Sequence, residues 1–585
     1  MNGASEPEQR AVLDQVMRIL ETADLTVTLC DVTWSSWGLF ALRCGSIYVT
    51  ENEISHNIVG TGNHEGIMVQ ETDYAYIASN DLVDNWDGVF LYIVSFGWIH
   101  NNTMRDNGVG IQALYSGCIV FGNSIASKVI GIILVDCPDT SIESNSITTD
   151  PSVYDSYTGI EFESCSHLSV SLNVIDSYHT GIRTSPSSYL YPESDNVTIS
   201  WNRISYCDVV AMSAYYVLDL TVTANTFLSS GTGIYVDSSA TRVKVYHNDF
   251  VDNSVQAQEN LLCAGNEWDD GYPSGGNYWS DYGGVDSYSG VYQDEPGSDG
   301  IGDTPYVLAS GSQDSYPLME PFWFQPANAP PVANFTVSPQ TGTVDTVFVF
   351  DASSSWDSED DVSVLLTRWD WESDGWWDTS YTTDKIETHQ FAYAGYYLVT
   401  LEVTDSGGLL DIAYTEVTVQ GTGVLTPHDP IYIVGDADFA ATAAEESWQG
   451  QGTEDDPYVI ELLDITGMAA SNAIRVEDTR VHFVIRDCWL EGDSSALRMY
   501  NVTNAAAINN TFTTSPFYSI YCERSYHLWI EDNIILGGSH CIGVLDSGNV
   551  YLGGNTVEDS GWWSLWIAYS YSVILRDNRF YGSGI

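Results

Sequence analysis

The sequence predicts an all-β chain: two parallel β-helices joined by a small β-sandwich, with a short capping helix at the N-terminus. Three observations carry this prediction. A glycine-centred unit returns about every 22 residues between residues 38 and 248, the same unit returns between residues 473 and 578, and the stretch between them alternates apolar and polar residues without that repeat. Repeats of 20–50 residues indicate stacked supersecondary units.

The first array is defined by two recurring positions. A glycine followed by an aliphatic residue, or an equivalent pair, begins at Gly38, Gly66, Gly88, Gly110, Gly131, Gly159, Gly181, Val210 and Gly233. An asparagine stands about fourteen residues after most of them, at Asn52, Asn80, Asn102, Asn123, Asn145, Asn173, Asn202, Asn225 and Asn248. Stretches such as "GIEFES" and "LSVSLNVI" alternate as half-buried strands do, so three strands form one coil and coils stack in parallel about 4.8 Å apart.

The second array repeats the same signal with steps of 22 or 23 residues. Its first position is occupied by Ala473, Ala496, Ser519, Cys541 and Ser564, and its asparagines are Asn510, Asn533, Asn555 and Asn578. Glycine permits a sharp corner, and asparagine tolerates left-handed backbone while bonding its neighbours along the stack.

Cysteines occupy one corner of this unit. Cys137 and Cys165 each follow their glycine by six residues, so they share a register on adjacent coils. That spacing allows a disulfide. A ladder of free, half-buried thiols is favoured, because Ser or Thr fills the same position on other coils, at Thr72, Ser116, Ser187, Ser239, Ser525, Ser547 and Ser570.

Residues 1–25 predict a capping helix. Ser5 and Glu8 form a capping box, and one apolar face follows over residues 5–21, made by Val12, Leu13, Val16, Met17 and Leu20. Such a helix covers the open end of a β-helix at residues 26–260. Since "NRFYGSGI" ends as a new unit begins, we expect the second array to continue beyond residue 585.

The first array is followed by a Gly/Asp-rich tail, residues 261–327. The repeats together with "GNYWSDY", "DGIGDTPY" and "DSYPLMEP" resemble the NosD-like β-helix proteins, also grouped as carbohydrate-binding and sugar-hydrolase (CASH) domains, over about residues 26–325. The resemblance implies a right-handed β-helix closed by the tail.

Residues 328–420 predict a separate β-sandwich of about 90 residues. The motifs "PPVANFTVSP", "FDASSSWDSED", "RWDWESDG" and "HQFAYAGYYLVTLEVTDSGG" resemble a PKD domain, which implies a spacer or binding module on a secreted or surface protein. The segment 421–585, opening with "GTEDDPYVIELLDI", is similar to the start of a second right-handed β-helix.

The charge of the chain limits its partners. Lys and Arg number 18 against 80 Asp and Glu, which gives a net charge of −62. Such a surface repels nucleic acid and anionic membranes and attracts divalent cations. No apolar run approaches the roughly 18 residues of a membrane span, and residues 1–25 lack the features of a signal peptide. We therefore expect an extracellular or cell-surface location, with the export signal outside this sequence.

Two loops have the spacing of calcium ligands. The stretch "DWESDGWWD" places oxygen atoms at every second position around Gly375, namely those of Asp370, Glu372, Asp374, the Trp376 carbonyl and Asp378. A hard cation requires six to eight oxygen ligands of this kind. The alternative is a plain hairpin turning at Asp374-Gly375. In "EPGSDGIGD", Glu295, Asp299 and Asp303 offer a weaker match, with a Gly/Asp-rich capping loop as the alternative.

The second and fourth residues after each glycine should point outward. They form a partly apolar row, such as Met68, Phe90 and Ile133, which is either a docking patch or a floor under the insertions; the covered floor is favoured. Beside it lie Glu161, Glu163 and Arg183, the catalytic candidates if the protein is a polysaccharide hydrolase or lyase. We favour solvated surface charge for them, as for Asp81, Asp84 and Asp87.

Aromatic residues are abundant enough to bind sugar rings by stacking. The best candidates are exposed-looking side chains of the first array, namely Trp34, Trp37, Trp86, Trp98, Tyr189 and Tyr191. The NosD resemblance also raises copper delivery, which needs clustered His, Met or Cys; only Cys165 with His167 and His540 with Cys541 approach this.

The favoured function is that of a non-catalytic surface scaffold stiffened by calcium, with polysaccharides, glycoproteins or neighbouring surface proteins as partners. The alternative is a polysaccharide-degrading β-helix enzyme, and the third possibility is a copper-site maturation accessory.

Overall fold

The computed structural model shows an all-β chain with one α-helix among the residues that it describes. Those are residues 15–582 apart from 29, 34–36, 58–64, 150–156, 185–192, 261–264, 323–330, 344–345, 358–359, 372–376, 392–394, 407–409, 421–424, 467–470 and 514. The chain forms two compact units, one mainly of residues 32–324 and the other mainly of residues 325–581. Each is described by itself.

The first unit is a parallel β-solenoid with three faces. The first face consists of β1 (Gln15–Leu20), β4 (Trp37–Leu42), β7 (Glu65–Gln70), β10 (Asp87–Tyr92), β12 (Thr103–Leu114), β14 (Ser124–Val135), β17 (Thr158–Glu163), β20 (Thr180–Thr184), β23 (Val210–Ala214), β26 (Thr232–Val236) and β29 (Val255–Glu259). The second face consists of β2 (Leu25–Thr28), β5 (Ser46–Thr50), β8 (Tyr74–Ala78), β11 (Phe96–His100), β13 (Cys118–Phe121), β15 (Ser141–Glu143), β18 (Ser169–Ser171), β21 (Ser194–Ser200), β24 (Val217–Thr223) and β27 (Lys244–Tyr246).

The third face completes each coil. It consists of β3 (Asp31–Thr33), β6 (Glu53–Ser55), β9 (Asp81–Val83), the first residues of β12 and β14, β16 (Ser146–Thr149), β19 (Val174–Asp176), β22 (Arg203–Ser205), β25 (Thr226–Leu228), β28 (Asp249–Val251) and β30 (Tyr278–Trp279). Each strand pairs in parallel with the strand one coil away, as Val89 of β10 pairs with Ile67 of β7 and with Ile111 of β12.

The asparagine positions confirm the predicted register. The side-chain Nδ2 of each asparagine donates to the Oδ1 of the asparagine on the next coil, at 2.8–3.0 Å. The donors are Asn52, Asn80, Asn102, Asn123, Asn145, Asn173, Asn202, Asn225 and Asn248. The ladder extends one step further than the sequence pattern, to Asn277 in "GNYWSDY". Its members are almost completely buried, so the ladder satisfies polar groups that water does not reach.

The glycine and cysteine corners follow the same stacking. A Cβ on Gly131 would lie 2.4 Å from the carbonyl oxygen of Gly159 on the next coil, so a side chain at residue 131 would force the two coils to shift. Ala211, and not Val210, occupies this position in its coil, because Val210 pairs with Thr180. Cys137 and Cys165 are free thiols, as the favoured interpretation predicts, but they are fully buried and not half-buried. Each lies near the carbonyl oxygen two residues before it.

The tail closes the C-terminal end of the first solenoid. It contains two short hairpins, β31 (Tyr288–Ser289) with β32 (Glu295–Pro296), and β33 (Tyr306–Val307) with β34 (Gln313–Asp314). Asp314 is buried and accepts hydrogen bonds from the Asn277 amide and the Trp279 indole. The Trp279 ring stacks between Phe250 and Tyr306, at centroid distances of 4.4 and 4.1 Å.

The N-terminal helix prediction is wrong over residues 15–20, which form strand β1 and pair with β4. Met17 and Ile19 are fully buried, whereas Arg18 between them is half-buried. This alternation has the period of a strand, and a short apolar run fits both periods. Ser5, Glu8, Val12 and Leu13 lie outside the described residues.

The sandwich region of the second unit has two sheets over a common core. One sheet contains β35 (Thr336–Ser338), β37 (Phe348–Asp351) and β39 (Ile386–His389), and the other contains β36 (Thr341–Thr343), β38 (Leu366–Asp370), β40 (Gly395–Thr404) and β41 (Leu410–Gln420). Both sheets contribute buried apolar side chains, among them Phe350, Trp369 and Leu401. The predicted β-sandwich is confirmed.

The second solenoid repeats the three-faced coil. Its strands are β42 (Thr426–Pro427), β43 (Ile431–Val434), β44 (Tyr458–Glu461), β45 (Leu463–Ile465), β46 (Asn472–Glu477), β47 (Phe483–Arg486), β48 (Trp489–Leu490), β49 (Ser495–Tyr500), β50 (Thr503–Ile508), β51 (Thr511–Phe512), β52 (Ser515–Glu523), β53 (Tyr526–Glu531), β54 (Ile534–Leu545), β55 (Gly548–Gly553), β56 (Thr556–Ala568), β57 (Tyr571–Arg576) and β58 (Arg579–Gly582). Asn510, Asn533, Asn555 and Asn578 form its asparagine ladder at 2.9–3.0 Å.

A capping helix does occur in the chain, but in the second solenoid. Helix α1 (Asp436–Glu446) follows β43, and Asp436 and Asp438 lie in its first turn, where they complement the helix dipole. Phe439 is fully buried and lies 5.3 Å from the Tyr458 ring and 4.9 Å from the Phe483 ring. The helix therefore covers the first strands of this solenoid. No helix among the described residues is long and apolar enough to span a membrane.

The asparagine ladder generates the first prediction. Asn123→Ala removes the Oδ1 that accepts from the backbone and side chain of Asn102, and the Nδ2 that donates to the Ile99 carbonyl. Leaving these buried groups unsatisfied should cost about 2–4 kcal/mol of unfolding free energy. Urea unfolding measures this loss, and hydrogen–deuterium exchange should show faster exchange in residues 99–125.

Ser124→Ala is the matched control, because Ser124 is the next residue and its side chain is exposed. Equal stability of the two variants would contradict a structural role for the ladder.

Candidate functional site

The outward side of the second face carries a cluster of rings, which we call the aromatic face. It consists of Tyr48 of β5, Tyr74 and Tyr76 of β8, and Phe96, Trp98 and His100 of β11. The alternation of each strand sets this arrangement, because residues such as Ile47, Ile77 and Ile99 point into the core and are fully buried.

Coil stacking brings these rings into rows. Tyr48, Tyr76 and Trp98 are register partners on three successive coils, as are Tyr74 and Phe96 on two. The Tyr74 and Phe96 rings are parallel at 6.1 Å, and the Tyr76 ring lies 6.0 Å from Trp98 and 4.9 Å from His100. Tyr48, Phe96 and Trp98 are 40%, 37% and 40% exposed. The rows therefore present ring surface to solvent.

The aromatic face has little charge of its own. Burial lowers the pKa of His100, so its imidazole is neutral at pH 7. Burial raises the pKa of the Tyr76 hydroxyl, and the charge of the nearby Glu51 carboxylate raises it further. The face thus combines exposed apolar rings with polar edges and a nearby anion.

Of the six predicted ligand-binding aromatics, the structure brings Trp98 into this cluster. Trp86 is 54% exposed but lies between β9 and β10, away from the second face. Trp37 begins β4, and its side chain is not described; Trp34, Tyr189 and Tyr191 lie outside the described residues. The partners of Trp98 carried a usable signal, since "SIYVT", "YAYIA" and "FGWIH" repeat aromatic residues at the same coil position.

The outward row of the first face follows the predicted register. The residues of this row are register partners on successive coils, in the order Met68, Phe90, Gln112, Ile133, Glu161 and Arg183. Their side chains are half-buried. The insertions that would cover them include residues 58–64, 150–156 and 185–192, which the structure does not describe, so the covered floor stays a prediction.

The enzyme candidates do lie together. Glu161 and Arg183 are neighbours on β17 and β20, and Glu163 is two residues along β17 on the same outward side. Two residues along a strand span about 6.6 Å, within the range of carboxyl separations in glycosidases. This places the three side chains on one surface but assigns them no reaction.

The acidic residues of "NDLVDNWDG" are not equivalent. Asp81 pairs with Arg105, and Asp84 pairs with Lys128 at 2.9 Å. The interpretation of Asp87 as a solvated charge is wrong, because Asp87 is 1% exposed and stacks on Glu65, which is 2% exposed. Burial and the Glu65 charge raise the pKa of Asp87 to about 7. Both acids directly precede a glycine, a position that faces inward in this coil.

The calcium candidates are only partly described. Asp370 is buried at the end of β38, Asp378 is exposed and accepts a hydrogen bond from the Trp371 amide, and residues 372–376, which include Glu372, Asp374 and Trp376, lie outside the described part of the chain. In the tail, Asp303 accepts from the amides of Ser287 and Tyr288.

The other tail carboxylates also serve as local acceptors or lie in solvent. Asp299 accepts from the Ile301 amide, and Glu295 is exposed. Within the described ranges there is no group of three or more His, Cys, Asp and Glu that could hold a metal ion. The structure therefore does not bring Glu295, Asp299 and Asp303 together, and calcium binding stays a prediction.

The copper candidates are likewise separated. The Cys165 thiol is fully buried, whereas His167 is exposed and faces Asp139 at 3.5 Å. Cys541 is buried, and the neighbouring His540 ring packs against Tyr518 and Trp563 at 5.1 and 4.8 Å. His540 and Cys541 are adjacent in β54, and a strand points adjacent residues to opposite sides. The buried Cys165 thiol and the exposed His167 ring are separated by their different burial, so neither predicted pair forms a joint site.

Three family models match the chain. Residues 3–154 and 149–284 match NosD, described as a periplasmic copper-binding protein; residues 328–419 match the PKD domain; and residues 472–585 match a right-handed β-helix region. The chain therefore combines a NosD-type β-helix, a PKD domain and a second right-handed β-helix. No curated protein matches it.

Several solved structures are similar over parts of the chain. A carbohydrate-binding module of the β-sandwich superfamily is 28% identical, covering 18% of this chain and 40% of that chain at a TM-score of 0.16. The PKD1 domain of the Vibrio cholerae metalloprotease PrtV is 25% identical, covering 16% and 100% at 0.13. A periplasmic alginate epimerase AlgG is 16% identical, covering 43% and 70% at 0.31.

The buried acid pair generates a pH prediction. The pKa of Asp87 is about 7 in the folded chain and about 3.9 when unfolded. Between these values the folded state holds a proton that the unfolded state has lost, so Asp87 makes the fold less stable as pH rises. Asp87→Asn should remove this loss, and its unfolding free energy relative to wild type should increase from pH 5 to pH 8.

The slope of that difference should not exceed about 1.4 kcal/mol per pH unit, measured by urea unfolding at each pH. Asp73→Asn is the control, because Asp73 is exposed on the same solenoid. A pH-independent difference for Asp87→Asn would show that this carboxyl titrates normally.

Proposed function

We propose that the chain is a non-catalytic glycan-binding scaffold of the cell surface or extracellular space, and that the aromatic face of the first solenoid is its binding surface. The observation that carries this proposal is the row of half-exposed rings on three adjacent coils. Exposed apolar surface of this kind marks interaction sites, and flat rings stack on the apolar faces of sugars while their polar edges serve the hydroxyl groups.

Charge favours saccharides over the other common ligands of ring platforms. Single-stranded nucleic acids stack on such platforms too, but they need a cationic groove beside the rings. The aromatic face has no cation of its own at neutral pH, and the chain carries a net charge of −62. A neutral saccharide meets neither repulsion nor an unpaired charge there.

An extracytoplasmic location agrees with the NosD description, which is that of a periplasmic protein. The PKD domain is consistent with a spacer between two solenoids of a surface protein. The copper activity in the NosD description is not part of the proposal, because the described His and Cys candidates do not converge.

Glycan binding is tested with immobilised neutral polysaccharides and the full chain. Trp98→Ala should weaken binding about tenfold, equal to about 1.4 kcal/mol, because Trp98 contributes the largest exposed ring of the aromatic face. Trp86→Ala is the matched control, since Trp86 is a more exposed tryptophan outside this face. Equal losses in both variants, or no binding by wild type, would refute the proposal.

The enzyme alternative has one supporting observation, the adjacency of Glu161, Glu163 and Arg183. A reducing-sugar assay on the bound polysaccharides separates the two functions. Product that accumulates with wild type and is lost in Glu161→Gln would replace the scaffold by a hydrolase or lyase.

Calcium stiffening is proposed for the PKD loop at residues 370–378. Calcium should raise the Tm of the full chain over that in a chelator, and Asp374→Ala should abolish the increase because it removes a central oxygen ligand. Asp299→Ala tests the tail loop in the same way. A Tm that does not respond to calcium in wild type would contradict both sites.

A further inference from the structure

The second solenoid carries a different outward row, which we call the arginine row. The row consists of register partners on five successive coils. These are Arg475 in β46, Arg498 in β49, Tyr521 in β52, Gly543 in β54 and Trp566 in β56. Two arginines at neighbouring positions are unusual in a chain with 18 Lys and Arg against 80 Asp and Glu.

The two guanidinium groups have unequal partners. Arg475 is bound by Glu477, at 2.7 Å from Nη2 and 2.9 Å from Nε. The nearest carboxylate to Arg498 belongs to Glu523, at 4.0 Å from Nη2, and the Nε of Arg498 is buried without a hydrogen-bond partner in the described part of the chain. Arg498 is therefore less compensated than Arg475, and because its Nε is buried, a ligand would contact the exposed part of this side chain, which is 32% exposed.

Stacking places these charges in a repulsive arrangement. Like charges directly opposite each other on paired strands destabilise a sheet, and coils lie about 4.8 Å apart. Glu477 compensates Arg475, whereas the distance to Glu523 leaves Arg498 weakly compensated. A bound anion beside Arg498 would relieve the repulsion.

Aromatic rings adjoin the guanidinium of Arg498. It lies 5.4 Å from the centroid of Tyr521. Gly543 has no side chain, and a Cβ there would lie 2.8 Å from a ring carbon of Tyr518. The rings of Tyr518 and Tyr521 can therefore approach to 4.7 Å over this position.

The ring cluster continues on the next coils. The rings of Tyr518 and Trp566 are nearly parallel at 6.5 Å, and those of Trp563 and Trp566 lie 5.6 Å apart. The side chains of Trp563 and Trp566 are half-exposed. Burial lowers the pKa of His540, which packs between Tyr518 and Trp563, so it adds no charge at pH 7.

We infer that the arginine row and its rings bind a carboxylated saccharide, such as a chain of hexuronate units. A guanidinium presents paired donors that match a planar carboxylate, and the neighbouring rings offer a stacking surface for the sugar. The hydroxyl groups of a neutral saccharide also accept from a guanidinium, but a carboxylate accepts charge-assisted hydrogen bonds that are roughly twice as strong. The charge of the site therefore selects an anionic sugar, unlike the aromatic face of the first solenoid.

Oligogalacturonate and its methyl ester test this inference, because they differ in the carboxylate charge. In calorimetric titrations of the full chain, oligogalacturonate should bind and its methyl ester should bind at least tenfold more weakly. Arg498→Gln should weaken oligogalacturonate binding about tenfold or more, since it removes a charge-assisted hydrogen bond. Arg498→Lys should lose part of the affinity, because lysine keeps the positive charge but lacks the paired donors of a guanidinium.

Arg486→Gln is the matched control. Arg486 is an exposed arginine on the second face of the same solenoid, paired with Glu461 at 2.6 Å, and its loss changes the net charge equally. Equal weakening in Arg486→Gln and Arg498→Gln would overturn the site, as would equal binding of oligogalacturonate and its ester. Thermal unfolding checks that each variant is folded, and Tyr521→Phe, which keeps the ring, should retain binding.

The outcome is separable from that of the proposed function. Each proposal has its own variant and ligand: Trp98→Ala is measured on neutral polysaccharides and Arg498→Gln on oligogalacturonate. A chain that binds neutral glycans through Trp98 but does not bind oligogalacturonate would overturn the arginine row alone.

Discussion

In-register stacking of parallel coils is the constraint on which the rest of this structure depends. A corner residue on one coil must accept from the coil on one side and donate to the coil on the other, out of reach of water. Asparagine does both, because its amide carries an acceptor oxygen and a donor nitrogen. Asn123, for example, accepts from Asn102 and donates to Asn145, so one side chain fixes the register of three coils.

The same constraint explains how the first solenoid ends. Asn277 has no further asparagine to accept from its backbone N–H, and the Asp314 carboxylate accepts from it instead, while the Asn277 Nδ2 donates to the Trp268 carbonyl oxygen. A carboxylate accepts hydrogen bonds and has no N–H donor of its own that a further residue would have to satisfy. Aspartate is therefore a suitable last residue for an asparagine ladder. Gly276 allows this approach, because a Cβ there would overlap the Asp314 carboxylate. The tail motifs "GNYWSDY" and "DSYPLMEP" are thus two halves of one cap.

Register also explains why side chains of one type are arranged in rows. Since every coil places the same position at the same point of the circumference, a residue type that recurs in the sequence becomes a line of side chains along the stack. The aromatic face and the arginine row are two such lines on different solenoids. Since both solenoids share one fold, the difference between the ligands proposed for the two rows comes from the residue types in each row.

Much of the fold was predictable because its signals are periodic. The glycine and asparagine positions identified the coils, and the free thiols of Cys137 and Cys165 followed from the Ser and Thr at equivalent corners. Short aperiodic stretches were not predictable in this way. "QVMRIL" at residues 15–20 fits a helix and a strand equally, and its partner β4 decides the outcome. Asp87 was misjudged because its burial depends on a corner position that only the folded coil defines.

The candidate site was less accessible to sequence reasoning than the fold. Trp98 was identified as a single exposed aromatic residue, but a platform depends on which rings are neighbours on adjacent coils, such as Tyr76 and Tyr48. Arginine shows the same dependence. Arg43 pairs with Glu71 and Arg486 with Glu461, each across adjacent coils, and such exposed pairs contribute little stability. Arg498 differs because its coil neighbour is Arg475 rather than an acid, and only the register reveals that difference.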